Sequence, residues 1–330
     1  MGGVTVSDKI TYQSSLSKYI TDFINEKRSL GYKYNTQEIL LKSFDTYWFS
    51  HCYPRQGITR ESINDWITKK DSEGAGGLHG RISVVREFSK YLNGIGIPSF
   101  IPMCETKYHA PLPHIFTAEE LRSLFNEIDT DTTNNNTNYS KRIANECPVL
   151  FRLIYLHGLR ISEACYLSVS EVDLSNKKIM ILDGKGSKDR MIYLSSDMSE
   201  LCKEYLHYLK KVLGTSPDWM FPGMTPDKPI TAASAEVRFH KAWKRTEYAA
   251  NCSIEPTVHD FRHTYVVNRI NSWIEQGIDF EQMLPYLSKF LGHKSFEETS
   301  YYYHYIEEAA KIIQSRDKSV KRVIPEVMRR

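Results

Sequence analysis

No stretch of this chain approaches the roughly 18 consecutive apolar residues of a membrane span, and its N-terminus carries no apolar leader. Both absences predict a soluble, cytoplasmic protein, for which the Asn-x-Ser/Thr matches at Asn135 and Asn138 are not sugar acceptors. Cysteine is sparse and scattered, at Cys52, Cys104, Cys147, Cys165, Cys202 and Cys252, with no Cys-x-x-Cys pair. That pattern speaks against a zinc site or a disulfide framework and for a reducing compartment. There is no Gly-rich phosphate loop of the P-loop kind and no internal repeat. Neither sign of charge dominates. The formal net charge is +3, too small to announce a nucleic-acid partner by itself. Basic and acidic side chains number 14 and 11 over residues 1–110, 22 and 27 over 111–310, and 7 and 2 over 311–330. Any anion contact must therefore come from a local convergence of basic groups.

What is present divides into two parts. At about 150 residues per domain, 330 residues predict two domains, and 41% hydrophobic residues suffice for ordinary cores. Apolar residues at helical period predict amphipathic helices over about 16–30, through Tyr19, Phe23, Ile24 and Leu30, and over about 36–49. A third helix is expected near Thr59, where Thr-Arg-Glu-Ser offers capping chemistry, and a fourth over about 78–92 after the breaker Gly74-Ala75-Gly76-Gly77. Pro98, Pro102, Pro111 and Pro113 favour an extended connection. The boundary is placed there, giving a helical domain over 1–108 and a second domain over 109–330.

In the second domain Thr117-Ala118-Glu119-Glu120 predicts a capped helix start, and the tract 129–138 is too polar to pack. Alternation on both sides of Asp183-Gly184, over about 178–194, is a hairpin signal, whereas most of the rest has helical period. The expected fold is mainly α with a small β-sheet or hairpin.

Five segments of this second part carry the chemistry: Gly158-Leu159-Arg160-Ile161-Ser162-Glu163, Gly184-Lys185-Gly186-Ser187-Lys188-Asp189-Arg190, His259-Asp260-Phe261-Arg262-His263, Leu291-Gly292-His293 and the Tyr301-Tyr302-Tyr303 run. Two guanidiniums can fork onto the non-bridging oxygens of one phosphate, a phenol can attack phosphorus, and a lysine or histidine can protonate the leaving alkoxide. Taken singly, the blander readings stand: Arg160 as a structural partner of Glu163, Lys185 as a solvated turn lysine with Lys188 as its rival, His293 as a structural histidine, and the tyrosines as packing groups. His259 and Arg262, three apart, share a helix face, and His263 falls on nearly the same face. A rival reading takes His259-Asp260 as the ligand pair of a metal-dependent phosphohydrolase, with His263 one turn on.

The ordered set resembles the tyrosine recombinases, the integrases and Xer-like enzymes, closely over about 111–310 and loosely before that. The resemblance implies an N-terminal four-helix, SAM-like core-binding domain and a mainly helical catalytic domain. It implies catalytic roles for Arg160, Lys185, His259, Arg262, His293 and Tyr302, the last picked out by its spacing of nine from His293, and a supporting role for Glu163. It further implies cleavage and rejoining of DNA through a 3′-phosphotyrosyl link, with no cofactor and no metal. The partners implied are double-stranded recombination sites and a homotetramer passing through a Holliday junction, in a nucleoid-associated cytoplasmic protein. The apolar stripe over 306–313 could pack in cis or on a neighbouring subunit, and the basic tail over 318–330 could touch DNA. Lys27, Arg28, Lys33, Arg81, Arg86 and Lys188 are candidate phosphate contacts. A type IB topoisomerase and a DNA-binding protein that has lost catalysis remain as alternatives.

Overall fold

The computed structural model describes residues 10–51, 53, 57–71, 73–103, 112–131, 137–182, 189–293, 297–300 and 302. Two compact units make up the chain, Met1–Pro111 and Leu112–Arg330.

The first unit holds four helices: α1 (Ser17–Ser29), α2 (Asn35–Ser50), α3 (Arg60–Ile67) and α4 (Ala75–Gly94). Ile20, Phe23 and Ile24 of α1 recur at helical spacing and meet Leu41, Phe44 and Trp48 of α2, Ile63 and Trp66 of α3 and Val85, Phe88 and Leu92 of α4 in one core. Each such apolar side chain contributes about 1.5–3 kcal/mol on burial. Thr59 opens α3 as expected, its Oγ1 accepting the Ser62 N–H at 3.2 Å. The glycine cluster does not break the chain where it was expected to. Gly74 is the N-cap of α4, and Gly76 and Gly77 lie in its first turn, because the apolar face from Leu78 to Leu92 outweighs a propensity penalty of about 1 kcal/mol per glycine.

Arg81 corrects an expectation. It is 5% exposed, donates to the Trp66 and Thr68 carbonyls, pairs with Glu73 through Nε and Nη2, and lies over the Trp66 ring. A guanidinium so engaged holds α3 to α4 and is withdrawn from the phosphate contacts.

The second unit contains α5 (Ala118–Asp129), α6 (Asn138–His157), α7 (Ile161–Cys165), α8 (Ser196–Leu213), α9 (Ala232–Trp243), α10 (Val258–Glu275), α11 (Phe280–Leu291) and the short α12 (Glu297–Ser300). Strands β1 (Val172–Asp173), β2 (Lys178–Ile181) and β3 (Arg190–Tyr193) form an antiparallel sheet in the order β1-β2-β3. The hairpin pairs Ile179 with Ile192 and Ile181 with Arg190; β1, two residues long, was too short to be read from the sequence. The expected Thr117–Glu120 box is formed, Thr117 Oγ1 accepting the Glu120 N–H and Glu120 Oε2 accepting the Thr117 N–H.

Helix α6 runs through the principal core, burying Ile143, Cys147, Leu150, Phe151 and Ile154 against α5, α8, α9 and α10. It stops at Gly158, which has φ +58°, and a Cβ there would come within 2.7 Å of the Tyr265 ring and 3.0 Å of Leu291. Glycine is needed both for the left-handed backbone and for the close approach of α10 and α11. A second cluster, Val266, Val267, Ile270, Phe280, Leu284, Leu287, Leu291 and Tyr302, joins α10 to α11.

Candidate active site

The turn at Gly158 delivers Arg160 to the N-cap of α7, where its own N–H donates to Glu163 Oε2 at 2.9 Å. The Arg160 side chain donates through Nη1 to Glu163 Oε1 at 2.8 Å and to the Leu291 carbonyl at 3.3 Å, and through Nη2 to the Gly292 carbonyl at 2.9 Å. Arg262, on the second turn of α10 and 1% exposed, donates through Nη1 to the Gly158 carbonyl and through Nη2 to the Leu291 carbonyl, each at 2.7 Å. The two guanidiniums therefore meet on one acceptor, the Leu291 oxygen, although their residues are 102 positions apart in sequence.

That meeting depends on how α11 ends. Gly292 caps it with φ +64°, and a Cβ there would lie 3.0 Å from Arg190 Nη1 and 3.5 Å from Arg160 Nη1. The last carbonyls of a helix carry partial negative charge, which makes them natural resting partners for cationic groups. His293 follows and turns inward; it is 9% exposed, with Nδ1 2.7 Å from Thr299 Oγ1.

Glu163 is held from two sides. Besides Arg160, Arg190 at the start of β3 donates a bidentate pair to it, Nη1 to Oε1 at 3.0 Å and Nη2 to Oε2 at 2.7 Å. Burial would raise this carboxyl, but the Arg190 and Arg160 hydrogen bonds outweigh that and bring it down to about 2. It is ionised at neutral pH, one negative charge among three guanidiniums. Arg262 is lowered to about 10 by burial first and by Arg160 second, and so keeps its charge. Arg190 carries no role in the sequence reading above; the signal for it is that it ends the glycine-lysine motif, where β3 leaves the loop.

The histidines are arranged differently from expectation. His263 Nδ1 lies 2.9 Å from the Tyr302 hydroxyl, whereas His259 packs edge-on against His263 with ring centroids 4.6 Å apart. Burial depresses both imidazoles to about 4, with His263 and Arg262 adding to the effect at His259 and Arg262 adding to it at His263. Both are neutral at pH 7, and a neutral imidazole can accept a proton from a phenol. Tyr302 itself is 3% exposed and buried among Val266, Leu287 and their neighbours.

Asp260 is turned to another use. Its Oδ2 accepts the Thr257 N–H at 2.7 Å and the Thr257 hydroxyl at 2.9 Å, and its Oδ1 accepts the His114 N–H at 3.1 Å. Both oxygens of the supposed ligand pair thus cap α10 and fasten the incoming strand of chain. The metal-hydrolase reading is not favoured. Lys185 and Lys188, the neighbouring tyrosines, the stripe over 306–313 and the tail over 318–330 lie outside the described residues. In the first unit Lys33 and Arg86 are exposed, Lys27 lies over the Phe23 ring, and Arg28 pairs with Glu38. No helix among the described residues is long and apolar enough to cross a membrane.

The chain is 28% identical over 231 residues to the tyrosine recombinase XerC of Staphylococcus saprophyticus, a match covering 69% of this chain and 70% of that protein. Among solved structures, the Tn1549 transposon integrase in complex with a circular intermediate DNA aligns over 92% of this chain and 99% of its own, with 17% identity and a TM-score of 0.62. The lambda integrase tetramer bound to a Holliday junction aligns over 87% and 76%, with 18% identity and a TM-score of 0.59. The family model described as the phage integrase family matches residues 114–308, which contain the whole of the arginine, histidine and tyrosine constellation. The chain belongs to the phage integrase family, the tyrosine recombinases.

Proposed function

We propose that this protein is a site-specific DNA recombinase in which Tyr302 attacks a phosphate held by Arg160 and Arg262. The observation that carries the reading is the convergence of both guanidiniums on the Leu291 oxygen, with Tyr302 hydrogen-bonded to the residue next to Arg262. A phosphate oxygen presented at that point would take the place of a backbone carbonyl as their shared acceptor. It would gain charge-assisted hydrogen bonds whose strength grows as negative charge develops on phosphorus.

A phenol titrates near pH 10 and needs help to attack at neutral pH. His263 is the residue in position to relieve Tyr302 of its proton, with His259 against it, while His293 contributes a further donor to the phosphate. Lys185 protonates the departing 5′ oxygen, a task that suits a flexible ammonium. The tyrosine–phosphorus bond forms as the bond from phosphorus to the 5′ oxygen breaks, leaving a 3′-phosphotyrosyl link. A 5′ hydroxyl from a partner duplex then reverses the step, so neither ATP nor a metal is consumed. Tyr302 is nearly inaccessible here, so DNA binding has to uncover it. Paired strand exchange on two duplexes calls for four subunits, an arrangement supported by the lambda integrase tetramer bound to a Holliday junction. Lys27, Arg28, Lys33 and Arg86 of the first unit, with Lys188 of the second, supply phosphate contacts that position the duplex.

The test is a nicked suicide duplex drawn from DNA flanking the coding sequence, incubated with the protein in EDTA. A covalent protein–DNA adduct is expected at undiminished yield; strand cleavage that stops in EDTA would restore the metal-dependent reading.

The acid limb of this reaction should also be displaced. A neutral His259–His263 pair is required, and in the free enzyme it protonates only near pH 4. The second-order rate of adduct formation, which reports the free enzyme, should therefore change by less than about twofold between pH 7.5 and pH 6. Stability follows the same groups. The unfolded chain binds protons at these histidines below about pH 6.5 while the folded protein does not until about 4, so their contribution is complete above 6.5 and is lost as pH falls through that window. A rate that halves with a midpoint near 6.5 would contradict this placement.

A further inference from the structure

The reaction set described above leaves Arg190 without a task, yet its guanidinium is buried, with the side chain 7% exposed, and forked onto both oxygens of Glu163. Glu163 could otherwise offer that fork to Arg160. With Arg190 in place, Arg160 reaches the carboxylate through Nη1 alone, and its remaining side-chain hydrogen bonds go to the Leu291 and Gly292 carbonyls. Gly292 completes the arrangement by lacking a Cβ, which would crowd Arg190 Nη1 at 3.0 Å.

Two consequences follow from elementary electrostatics. A carboxylate shared between two guanidiniums neutralises each only in part, so Arg160 keeps more of its charge for an incoming anion than it would in a private Arg–Glu pair. A carboxylate held by a second fork also cannot rotate to follow Arg160, which keeps that side chain beside the α11 terminus. Arg190 is in turn anchored by the sheet, since its backbone pairs with Ile181 at the loop end of the β2–β3 ladder.

We propose that Arg190 is a positioning residue for strand cleavage, which acts through Glu163 to hold Arg160 beside the α11 terminus, facing the scissile phosphate with its charge only partly countered. The inference rests on the recombinase reading above. Arg190→Ala should lower the single-turnover rate of adduct formation about 100-fold while changing the Kd for the same duplex by less than about threefold. Arg190→Lys keeps the charge but not the fork and should recover less than about a tenth of the lost rate.

Two readouts separate this from a merely structural role. In the Arg190→Ala background, Glu163→Gln should cost less than about twofold more, because both changes break one linkage. A methylphosphonate at the scissile position lacks one anionic oxygen and so demands less of Arg160. On it the gap between wild type and Arg190→Ala should shrink from about 100-fold to about 10-fold or less. Multiplicative losses in the double variant, an unchanged gap on the methylphosphonate, or a near-normal rate for Arg190→Ala would each overturn the proposal. Should Arg190→Ala fail to fold by circular dichroism, Arg190→Lys is put through the same comparison with the same criteria. Wild-type protein that forms no adduct on the ordinary phosphate would instead bring down the recombinase reading and this inference with it.

Discussion

Tyr302→Phe should eliminate the covalent protein–DNA adduct, lowering its rate of formation by at least about 10,000-fold, because no other group is asked to become the leaving partner of the 3′ phosphate. The fold should hardly notice. The hydrogen bond between the Tyr302 hydroxyl and His263, at 2.9 Å, is worth about 1 kcal/mol net, and the ring stays packed against α10 and α11 when the hydroxyl is removed. A melting curve within a few degrees of wild type together with a blank adduct lane is the expected pair of results. Tyr301→Phe, one position away, should leave adduct formation within about threefold of wild type. A Tyr302→Phe protein that still links to DNA would mean that a neighbouring phenol is the nucleophile.

Arg262→Ala should show two losses at once. Removing a buried guanidinium that binds two carbonyls leaves the Gly158 and Leu291 oxygens without it and opens space between α6, α10 and α11, a change worth about 2–4 kcal/mol of stability. The rate of adduct formation should fall by about 1,000-fold or more even at a temperature where the variant is fully folded, since a preorganised donor to the transition state is gone. Arg160→Ala is the informative comparison. Arg160 is more exposed, at 15%, and its loss leaves Glu163 still paired with Arg190, so the rate should fall comparably while stability falls less. Denaturant unfolding and single-turnover cleavage on the same preparations separate the two effects. Equal stability losses with little change in rate would reduce both arginines to scaffolding.

Much of the fold is legible in the sequence. Helix starts were readable because Thr59, Thr117 and their partners carry capping groups at fixed spacing, and the end of α11 because glycine precedes His293. The hairpin showed itself by alternation around Asp183-Gly184. The site was legible as a list, through residue types and order, but not as geometry. Nothing in the chain says that Arg160 and Arg262 meet at the Leu291 carbonyl, because that depends on three helix ends brought together by packing. The resemblance implies a catalytic role for His259, whereas His263 is the residue that touches Tyr302; two histidines one turn apart cannot be ranked without knowing which side of α10 faces α11. Arg81 shows where a charge-based reading goes astray. It lies three after Leu78 and four before Val85, on the buried face of α4, so the helical period argued for an internal role that its charge concealed.

One tyrosine beside two convergent arginines should become covalently joined to DNA. The most direct measurement is to trap the wild-type adduct on the suicide duplex, digest both protein and DNA, and map the nucleotide-bearing peptide by mass spectrometry. A nucleotide attached through its 3′ phosphate to Tyr302 is the expected result. Attachment to any other residue, or through a 5′ phosphate, would contradict it.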